Sequence, residues 1–486
     1  MMPLSRVERF HTQGKAVGKI KLDVLYKSKY LFLVCLLALF LLLTTGLDFK
    51  GKLALAAFII SMILWIKTKL SAGFVAVSVL IGVILLQGAK PTLLYESFSA
   101  EVVWLMIGSY IIGDAFRLSG LADRITRCIV ARAHHPTKLL FYTMLALQPL
   151  AFFIPSTSGR AAITLPIVKN MSKLMRTNNY KQMLVLLVPS IILMTTSASL
   201  IGAGSHLVGI ELLEGVTSEG ISYLYWLVLG APFAFVISLI TFFIIWWVNK
   251  ENVPIPHLSP EDGHEGQIYE QTRVTDREKK TLYLTGGLLF LWLTESLHGY
   301  DIAFIMMMGA VLFMTPKIGI LSWKQGIKAI SWNLILFVAA ATALGVNLVD
   351  TGVVKWLSDN LLGSLFSFTH IPGWLILIIL LVVTITSHLY ITSHTTRAVV
   401  MIPGLLLLSE TLGLNMTSVV FLSLIGINFC LTFPVCSKAL LIYYEDEEIH
   451  YEANDLFKLS LILMPVYLFT MLLFYFTYWK WLGLQL

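Results

Sequence analysis

The sequence has few charged residues for its length. Of its 486 residues only 13% are Asp, Glu, Lys or Arg, whereas about a quarter of a soluble domain is charged. The deficit extends along the whole chain, so water cannot be the solvent for most of its surface. Together with 57% hydrophobic residues and a mean hydropathy of +0.80, it excludes an ordinary soluble protein and predicts a chain embedded in lipid.

The sequence also lacks the short motifs of common chemistries. It has four cysteines, none at a metal-ligand spacing, and no His-Glu-x-x-His, Gly-x-Ser-x-Gly or Walker-type loop. We therefore predict no cofactor and no metal centre, and interpret the cysteines as packing residues. A polytopic membrane enzyme, such as a transferase that uses His206 or His394, is the alternative from another functional class.

The net charge of +7 does not indicate nucleic acid as a partner, because the positions of the basic residues explain it. Seven Lys or Arg residues precede the first apolar run. If successive spans cross the membrane in alternate directions, 25 of the 35 Lys and Arg residues lie in segments on the same side as the N-terminus. Only five fall on the opposite side. The positive-inside rule predicts that residues 1–29 are a cytoplasmic segment of a multi-pass protein of the cell (inner) membrane.

The apolar runs predict an all-α polytopic membrane protein of about 11 transmembrane helices and two re-entrant hairpins. The hairpins are predicted at about 138–172 and 371–409, where small and polar residues interrupt an apolar stretch at its middle. Such backbone persists at membrane depth only where it is buried in protein or lines a cavity. We predict two inverted repeats, 30–248 and 281–486, joined by a polar cytoplasmic linker at 249–280.

The tips of the two predicted hairpins are copies of each other. Hydroxyl residues, an arginine, an alanine and a proline recur at the same offset: Ser156, Ser158, Arg160, Ala161 and Pro166 match Ser393, Thr395, Arg397, Ala398 and Pro403. Internal symmetry of this kind is typical of transporters built from repeats. Because the first hairpin enters from the cytoplasm and the second from outside, the repeats are inverted.

The apolar run after each hairpin is broken as well, at 197–206 and at 433–438. Broken helices expose helix N-termini and free carbonyls, which hold anions and cations respectively. The acidic run at 445–448, beyond the second break, is interpreted as a solvated loop. The predicted substrate site gathers residues of both tips and both breaks: Ser156, Thr157, Ser158, Arg160, Gly202, Ser205, His206, Ser393, His394, Thr395, Arg397, Ser437 and Lys438.

The two arginines have two interpretations. An arginine at membrane depth costs about 2.5–3.5 kcal/mol on insertion scales, so it needs a partner or a wet cavity. Arg160 and Arg397 either snorkel or pair with an acid such as Asp114 or Asp350, or they bind an anion through two facing guanidinium groups. Their symmetric placement favours direct contact with the substrate. Asp114 is expected instead to form an i,i+3 pair with Arg117.

The other ionisable residues of the predicted site also have two interpretations. Lys438 is either a ligand or a lysine that snorkels from the end of a span. His206 and His394 either carry protons or act as uncharged hydrogen-bonding groups.

Two segments and the two hairpins follow an order found in a known family. The segments are residues 104–121, with Gly108, Asp114 and Gly120-Leu121, and residues 323–356, with Trp332, Ala343-Leu344-Gly345 and Thr351-Gly352. With them the chain resembles the divalent-anion:sodium symporter (DASS) family, over about residues 30–484. The resemblance implies transport of dicarboxylates, tricarboxylates or sulfate. It also implies a homodimer whose protomers have a scaffold and a mobile transport part, with an elevator-like movement.

The chain departs from that family at the site. The tips of the family read Ser-Asn-Thr, whereas residues 156–158 are Ser-Thr-Ser and 393–395 are Ser-His-Thr. Its broken spans carry asparagines at positions that match His206 and Leu440. With these oxygen ligands absent and cationic groups nearby, we predict a secondary transporter of a small multiply charged anion, phosphate-bearing anions included, that exchanges anions without sodium. Proton coupling through a histidine is the second mechanism, sodium-coupled symport the alternative, and a channel fits less well than an occluding carrier.

Overall fold

The computed structural model describes residues 46–67, 70–121, 124, 128–129, 132–133, 135–154, 156–173, 175, 177–217, 220–249, 274–357 and 372–486. The predicted N-terminal segment and residues 250–273 of the predicted linker lie outside this part of the chain. Within it the protein is built from helices and has no strand, which confirms the all-α class.

The first predicted repeat contains ten described α-helices. They are α1 (Phe49–Lys67), α2 (Ala72–Leu85), α3 (Thr92–Glu96), α4 (Glu101–Leu118), α5 (Pro136–Leu147), α6 (Leu150–Phe153), α7 (Thr157–Lys173), α8 (Asn178–Met194), α9 (Gly204–Thr217) and α10 (Tyr223–Val248). The short 3₁₀ turns Thr195–Ala198 and Leu200–Gly202 separate α8 from α9, at the break that the sequence predicts.

The second predicted repeat contains eleven described α-helices. They are α11 (Asp276–Leu293), α12 (Glu295–His298), α13 (Ile302–Met314), α14 (Trp323–Ala329), α15 (Trp332–Asp350), α16 (Val353–Leu357), α17 (Gly373–Thr386), α18 (His394–Leu412), α19 (Met416–Asn428), α20 (Lys438–Tyr444) and α21 (Ala453–Thr477). The 3₁₀ turns Ser387–Leu389, Pro434–Cys436 and Trp479–Leu482 complete it.

Six helical stretches in the described part of the chain are long and apolar enough to cross a membrane. They are Thr92–Leu118, Asn178–Ala198, Tyr223–Val248, Trp332–Asp350, His394–Leu412 and Ala453–Thr477. Four shorter apolar helical stretches, among them α2 and α19, accompany them. The structure is therefore that of a polytopic membrane protein.

A serine begins the helix that follows each predicted hairpin tip. Ser156 Oγ accepts a hydrogen bond from Gly159 N at 3.2 Å, and Ser393 Oγ accepts one from Thr396 N at 3.3 Å. A serine at this position satisfies one of the N–H groups that the first turn leaves without a partner. The repeated serine therefore ends the interruption and starts α7 or α18 in the same way.

The core lies where the interrupted elements of the two halves cross. α7 packs against α20, and α18 packs against α9, so each tip helix contacts the helix that follows the break in the other half of the chain. α8 and α19 lie inside this arrangement, and both are almost completely buried. The crossing brings residues more than 200 positions apart in the sequence into contact.

Candidate functional site

The structure brings the two tips together around one cavity of about 610 Å³, here called the tip cavity. Eight of the thirteen predicted site residues line it: Ser156, Thr157, Ser158, Ser393, His394, Thr395, Ser437 and Lys438. They come from both tips and from the second break. The first break contributes Ala203 and Gly204, which sequence reasoning passed over in favour of their polar neighbours.

Three helices of more than three turns begin at the tip cavity. Their first residues, Thr157 of α7, Gly204 of α9 and His394 of α18, all line it. The start of an α-helix carries about half a positive charge and N–H groups without intrahelical partners. Lys438, an exposed side chain, is a further lining residue and the first residue of α20. The cavity is therefore electrostatically suited to an anion.

Another part of the wall of the tip cavity comes from α1, α4 and α15, which the sequence analysis did not assign to the site. Trp65 and Phe337 form an edge-to-face pair with ring centroids 5.2 Å apart, and both line the cavity beside Tyr110 and Asn333. The only sequence signal for this wall is the polar residues Ser331 and Asn333 at the start of an apolar run. Nothing in their spacing identifies them as site residues.

Five predicted site residues do not line the tip cavity: Arg160, Gly202, Ser205, His206 and Arg397. All five are buried. Gly202, Ser205 and His206 belong to the first break, and the side chains of Arg160 and Arg397 reach Gly202 O and Phe429 O. The geometry therefore does not support direct contact between the two arginines and an anion in this cavity. The reason is that the first turns of α7 and α18 direct both guanidinium groups toward the backbone and hydroxyl groups of the broken spans.

Arg160 ties the first tip to the first break. Its Nη1 donates to Thr195 Oγ1 at 3.1 Å, and its Nη2 donates to Thr196 Oγ1 at 3.1 Å and to Gly202 O at 2.9 Å. The carbonyl oxygen of Thr196 occupies the place that a Cβ at position 202 would need. Gly202 is thus a close-packing residue, and its carbonyl is held by the arginine.

Arg397 is equally buried and has fewer partners. Its Nη1 donates to Phe429 O at 3.2 Å, while no hydrogen bond reaches Nε or Nη2. No Asp or Glu in the described ranges forms an ion pair with Arg397 or with Arg160. Asp114 pairs with Arg117 at 2.6 Å (Oδ1 to Nη2), which confirms the predicted i,i+3 pair and leaves both tip arginines without a carboxylate.

His206 is held in a network that joins the two broken spans. Its Nδ1 lies 3.1 Å from Ser199 O and 3.3 Å from Leu200 O, and both carbonyls can only accept, so Nδ1 carries a hydrogen. Asn428 Nδ2 lies 2.9 Å from His206 Nε2 and donates to Ser197 Oγ at 3.0 Å. Asn428 Oδ1 also lies 3.1 Å from His206 Nε2, so the contacts fit either a neutral or a charged imidazole. The complete burial of His206 favours its interpretation as an uncharged hydrogen-bonding group.

Asn428 is a buried site residue that the sequence analysis missed. It lies at the last position of α19, directly before the second break, and is 1% exposed. The single signal was an amide inside the apolar run 415–443. His394, the other histidine of the predicted site, lines the tip cavity, and its Nε2 lies 2.8 Å from Cys430 Sγ.

The acidic run at 445–448 is not merely a solvated loop. Lys169 Nζ lies 2.7 Å from Asp446 Oδ2 and 3.4 Å from Glu448 Oε2, and Lys173 Nζ lies 3.2 Å from Glu448 Oε1. Burial by itself would raise the pKa of Asp446, but the hydrogen bonds from Lys169 and from the backbone N–H groups of Ile449 and Glu448, together with the charge of Lys169, outweigh burial and lower that pKa. The loop after α20 is therefore fastened to the C-terminal end of α7. Near the middle of α7, Thr164 Oγ1 lies 2.9 Å from the hydroxyl oxygen of Tyr443 on α20.

Helices long and apolar enough to cross a membrane, with a cavity between two similar tips, are typical of a membrane transporter. A family model described as the transmembrane region of sodium:sulfate symporters matches residues 23–485. The chain belongs to this family, which confirms the resemblance seen in the sequence. It is a secondary transporter of small anions and not an enzyme.

The relatives have low but extended similarity. A membrane protein of Cupriavidus necator is 23% identical over 90% of this chain and 89% of its own length. The citrate/succinate antiporter of Escherichia coli K12 is 24% identical over 77% of this chain and 78% of its own length. The L-tartrate/succinate antiporter of the same strain is 25% identical over 56% of this chain, which spans 58% of that antiporter.

A solved structure shows a related fold. The YdaH transporter of Alcanivorax borkumensis aligns with 79% of this chain and 88% of its own, with a TM-score of 0.55 and 12% identity. At this identity the likeness is one of fold alone.

Proposed function

We propose that this protein exchanges a small dicarboxylate for a second anion across the cell (inner) membrane, without sodium. The observation that carries the proposal is the tip cavity, at which three helix N-termini and the exposed Lys438 meet. Two relatives of known function are named as antiporters, and both names include succinate. A dicarboxylate has a charge at each end, and each tip offers one helix start.

The hydroxyl groups of the tips fit the same type of ligand. Ser156 and Ser158 lie with their Oγ atoms 2.9 Å apart, and Ser393 and Thr395 occupy the matching positions of the second tip. Hydroxyl and backbone N–H groups donate to carboxylate oxygens without adding charge. The proposed ligand set therefore consists of Ser156, Thr157, Ser158, Ser393, His394, Thr395, Ser437 and Lys438.

Arg160 and Arg397 are proposed as fixed counter-charges behind this set. Both are buried, and neither has a carboxylate partner among the described residues. Such charges favour a dianion in the cavity and disfavour the movement of an empty carrier. This preference for a loaded carrier is the physical reason to expect exchange rather than net uptake.

The absence of sodium dependence follows from what surrounds the breaks. Sodium in a dehydrated site requires several oxygen ligands, and a cation about 5 Å away repels it by about 3 kcal/mol at an effective dielectric near 20. His206 stands where the family has an asparagine, and Arg160 holds the Gly202 carbonyl that would otherwise be free. Proton coupling remains the second mechanism for one reason: His394 lines the cavity.

The membrane arrangement is part of the proposal. We infer about 11 spans, hairpins at 138–172 and 371–409 and inverted repeats at 30–248 and 281–486, with the linker at 249–280 and the N-terminus in the cytoplasm. The two helix–break–helix pairs, α5 to α7 and α17 to α18, support the hairpins. A homodimer with an elevator-like movement of the tips is inferred from the resemblance to the DASS family.

Purified protein in liposomes tests the proposal. Uptake of radiolabelled succinate is measured with external sodium, with choline in its place, and with or without internal succinate. We expect equal uptake in sodium and choline, and strong stimulation by internal anion. Uptake that requires sodium and ignores the internal anion would establish symport instead, and uptake that follows an inward proton gradient would establish proton coupling.

A further inference from the structure

A buried asparagine joins the two breaks. Asn428, the last residue of α19, donates a hydrogen bond from its Nδ2 to Ser197 Oγ at 3.0 Å. Its Nδ2 and Oδ1 atoms also lie 2.9 Å and 3.1 Å from His206 Nε2. Ser197 and His206 lie at the two ends of the first break, whereas Asn428 directly precedes the second. We call these contacts the inter-break bridge.

On the side of the first tip, the bridge is held by further hydrogen bonds. Arg160 Nη2 donates to the hydroxyl of Thr196, the chain neighbour of Ser197, at 3.1 Å. Trp226 Nε1 on α10 donates to Ser197 O at 3.1 Å. The same carbonyl oxygen occupies the place that a Cβ at position 230 of α10 would need. Ser197 is therefore fixed both to the first tip and to α10.

On the side of the second tip, the bridge continues through the backbone. Asn428 is the chain neighbour of Phe429, whose carbonyl oxygen accepts a hydrogen bond from Arg397 Nη1 at 3.2 Å. The two tip arginines, Asn428, Ser197 and His206 are at most 1% exposed, and hydrogen bonds of this kind are stronger where water is excluded. A buried path of hydrogen bonds and peptide bonds thus runs from one tip to the other through Asn428.

The bridge lies behind the tip cavity and does not line it. Asn428, Ser197 and His206 are not among the lining residues, whereas Gly204 and Lys438 are. These two are the first residues of α9 and α20, the helices that follow the two breaks. Asn428 therefore does not bind an anion in the cavity. Its contacts instead set how far apart the anion-binding groups of the two halves lie.

We propose that Asn428 is a positioning residue that fixes the separation of the two tips and so selects dianions by the length of the chain between their charges. This inference rests on the proposed exchange of dicarboxylates. A dianion of fitting length meets both tips at once, whereas a shorter or longer one loses its geometry at one end. In a site of fixed geometry, a misplacement of about 1 Å can cost about 100-fold. Removal of the bridge should therefore relax the selection by length.

Competition between dicarboxylates of different length tests the proposal. Protein in liposomes loaded with succinate takes up radiolabelled succinate, and inhibition constants are measured for malonate, succinate, glutarate and adipate. The wild type is expected to bind its preferred length about tenfold more tightly than lengths that differ by one methylene. In Asn428→Leu this ratio should fall below about threefold, because the tips are no longer held at one separation. A merely structural role would reduce the amount of active protein and leave the ratios of the constants unchanged.

Two further variants locate the effect. Asn347 is also a buried asparagine within a helix, but it belongs neither to the bridge nor to the lining of the tip cavity. Asn347→Leu is the matched control and is expected to keep the wild-type ratio. The double variant His206→Asn/Asn428→His exchanges two partners of the bridge and is expected to restore the ratio above about threefold. Asn428→Ser, too short to reach both partners, replaces Asn428→Leu in the comparison if that variant does not fold.

Each other outcome overturns the inference. A wild type without a preferred length, or an Asn428 variant that keeps the wild-type ratio, shows that Asn428 does not set the selection. A lost preference in Asn347→Leu shows that any buried substitution has this effect, and an exchanged pair that fails to restore the preference shows that the contact between the breaks is not its source. A wild type that does not exchange succinate overturns the proposed function as well. Succinate exchange with unchanged ratios in all variants overturns this inference alone.

Discussion

Arg160 and Arg397 occupy matching positions of two tips that share a sequence pattern, yet their surroundings differ. Arg160 donates three hydrogen bonds to the first break. Arg397 donates one, to Phe429 O, and two of its nitrogens have no hydrogen bond. The partners explain the difference: the first break offers Thr195 and Thr196, whereas Phe429 and Cys430 lie at the second. The same tip pattern therefore places one arginine with three hydrogen bonds and one with a single hydrogen bond.

The largest expected effect separates the two arginines. Arg160→Lys keeps the charge but loses the planar fork, so most of three charge-assisted hydrogen bonds disappear, with a loss of about 3 kcal/mol in stability. Arg397→Lys loses one, with a loss of about 1 kcal/mol. Thermal unfolding of the purified variants measures both. Equal falls in Tm would show that the two arginines contribute equally to stability, contrary to their different numbers of hydrogen bonds.

The cationic charge at the tip cavity is also unequal between the halves. The second break contributes Lys438, whereas the histidine of the first break, His206, is buried in its network. Lys438→Gln is expected to weaken succinate binding at least tenfold, or about 1.4 kcal/mol, as measured by ligand-dependent thermal shift. Lys458→Gln, on α21 and outside the cavity, is the matched control and should bind succinate unchanged. Unchanged affinity in Lys438→Gln would remove this lysine from the site.

The helix caps are the feature in which the halves agree. Ser156→Ala and Ser393→Ala each remove one cap hydrogen bond of nearly equal length, so both are expected to cost about 1 kcal/mol. Ser156→Ala should cost slightly more, because it also removes the hydrogen bond between Ser156 and Ser158. Apparent succinate affinity should fall in both, because each serine also lines the cavity. A fall in Tm in only one variant would show that the two serines contribute unequally to stability, although their cap hydrogen bonds have similar lengths.

The smallest expected effect concerns the ion pairs that fasten the loop 445–448 to α7. Because the pKa of Asp446 is lowered in the folded state, this residue contributes to the free energy of unfolding above the ordinary carboxylate pKa, near pH 4. That contribution is lost as pH falls through the folded-state pKa. Glu448 behaves alike, because hydrogen bonds from Lys173 lower its pKa. Asp446→Asn should lower Tm slightly at pH 7 and flatten its decline below pH 5. Parallel Tm profiles of variant and wild type would exclude a role for this pair.

Local residue types were enough to predict the breaks, and they also explain the helix starts that the structure shows. Ser156 and Ser393 are helix caps because a serine side chain reaches the N–H groups of the next turn, whatever surrounds it. The glycines and prolines of the breaks act through the backbone in the same way. These effects depend on neighbours within a few residues, so the sequence alone could reveal them.

The partners of the site residues could not be predicted in this manner. The direction of the Arg160 side chain depends on where Thr195, Thr196 and the Gly202 carbonyl lie, 35 to 42 residues away. The contact between His206 and Asn428 spans 222 residues. The run 445–448 is acidic in any conformation, but its role depends on the approach of Lys169.

The sequence by itself determined that the chain is embedded in lipid, that it is all-helical, where its two tips lie and which family it belongs to. Each of these depends on composition, local backbone preferences or a repeated pattern. Only the tertiary structure decided which side chains of those tips face the cavity. It packed α7 against α20 and α18 against α9, and this crossing turned the hydroxyls toward the cavity and both guanidinium groups toward the breaks. Side-chain direction follows from packing between distant segments, and no local pattern encodes it.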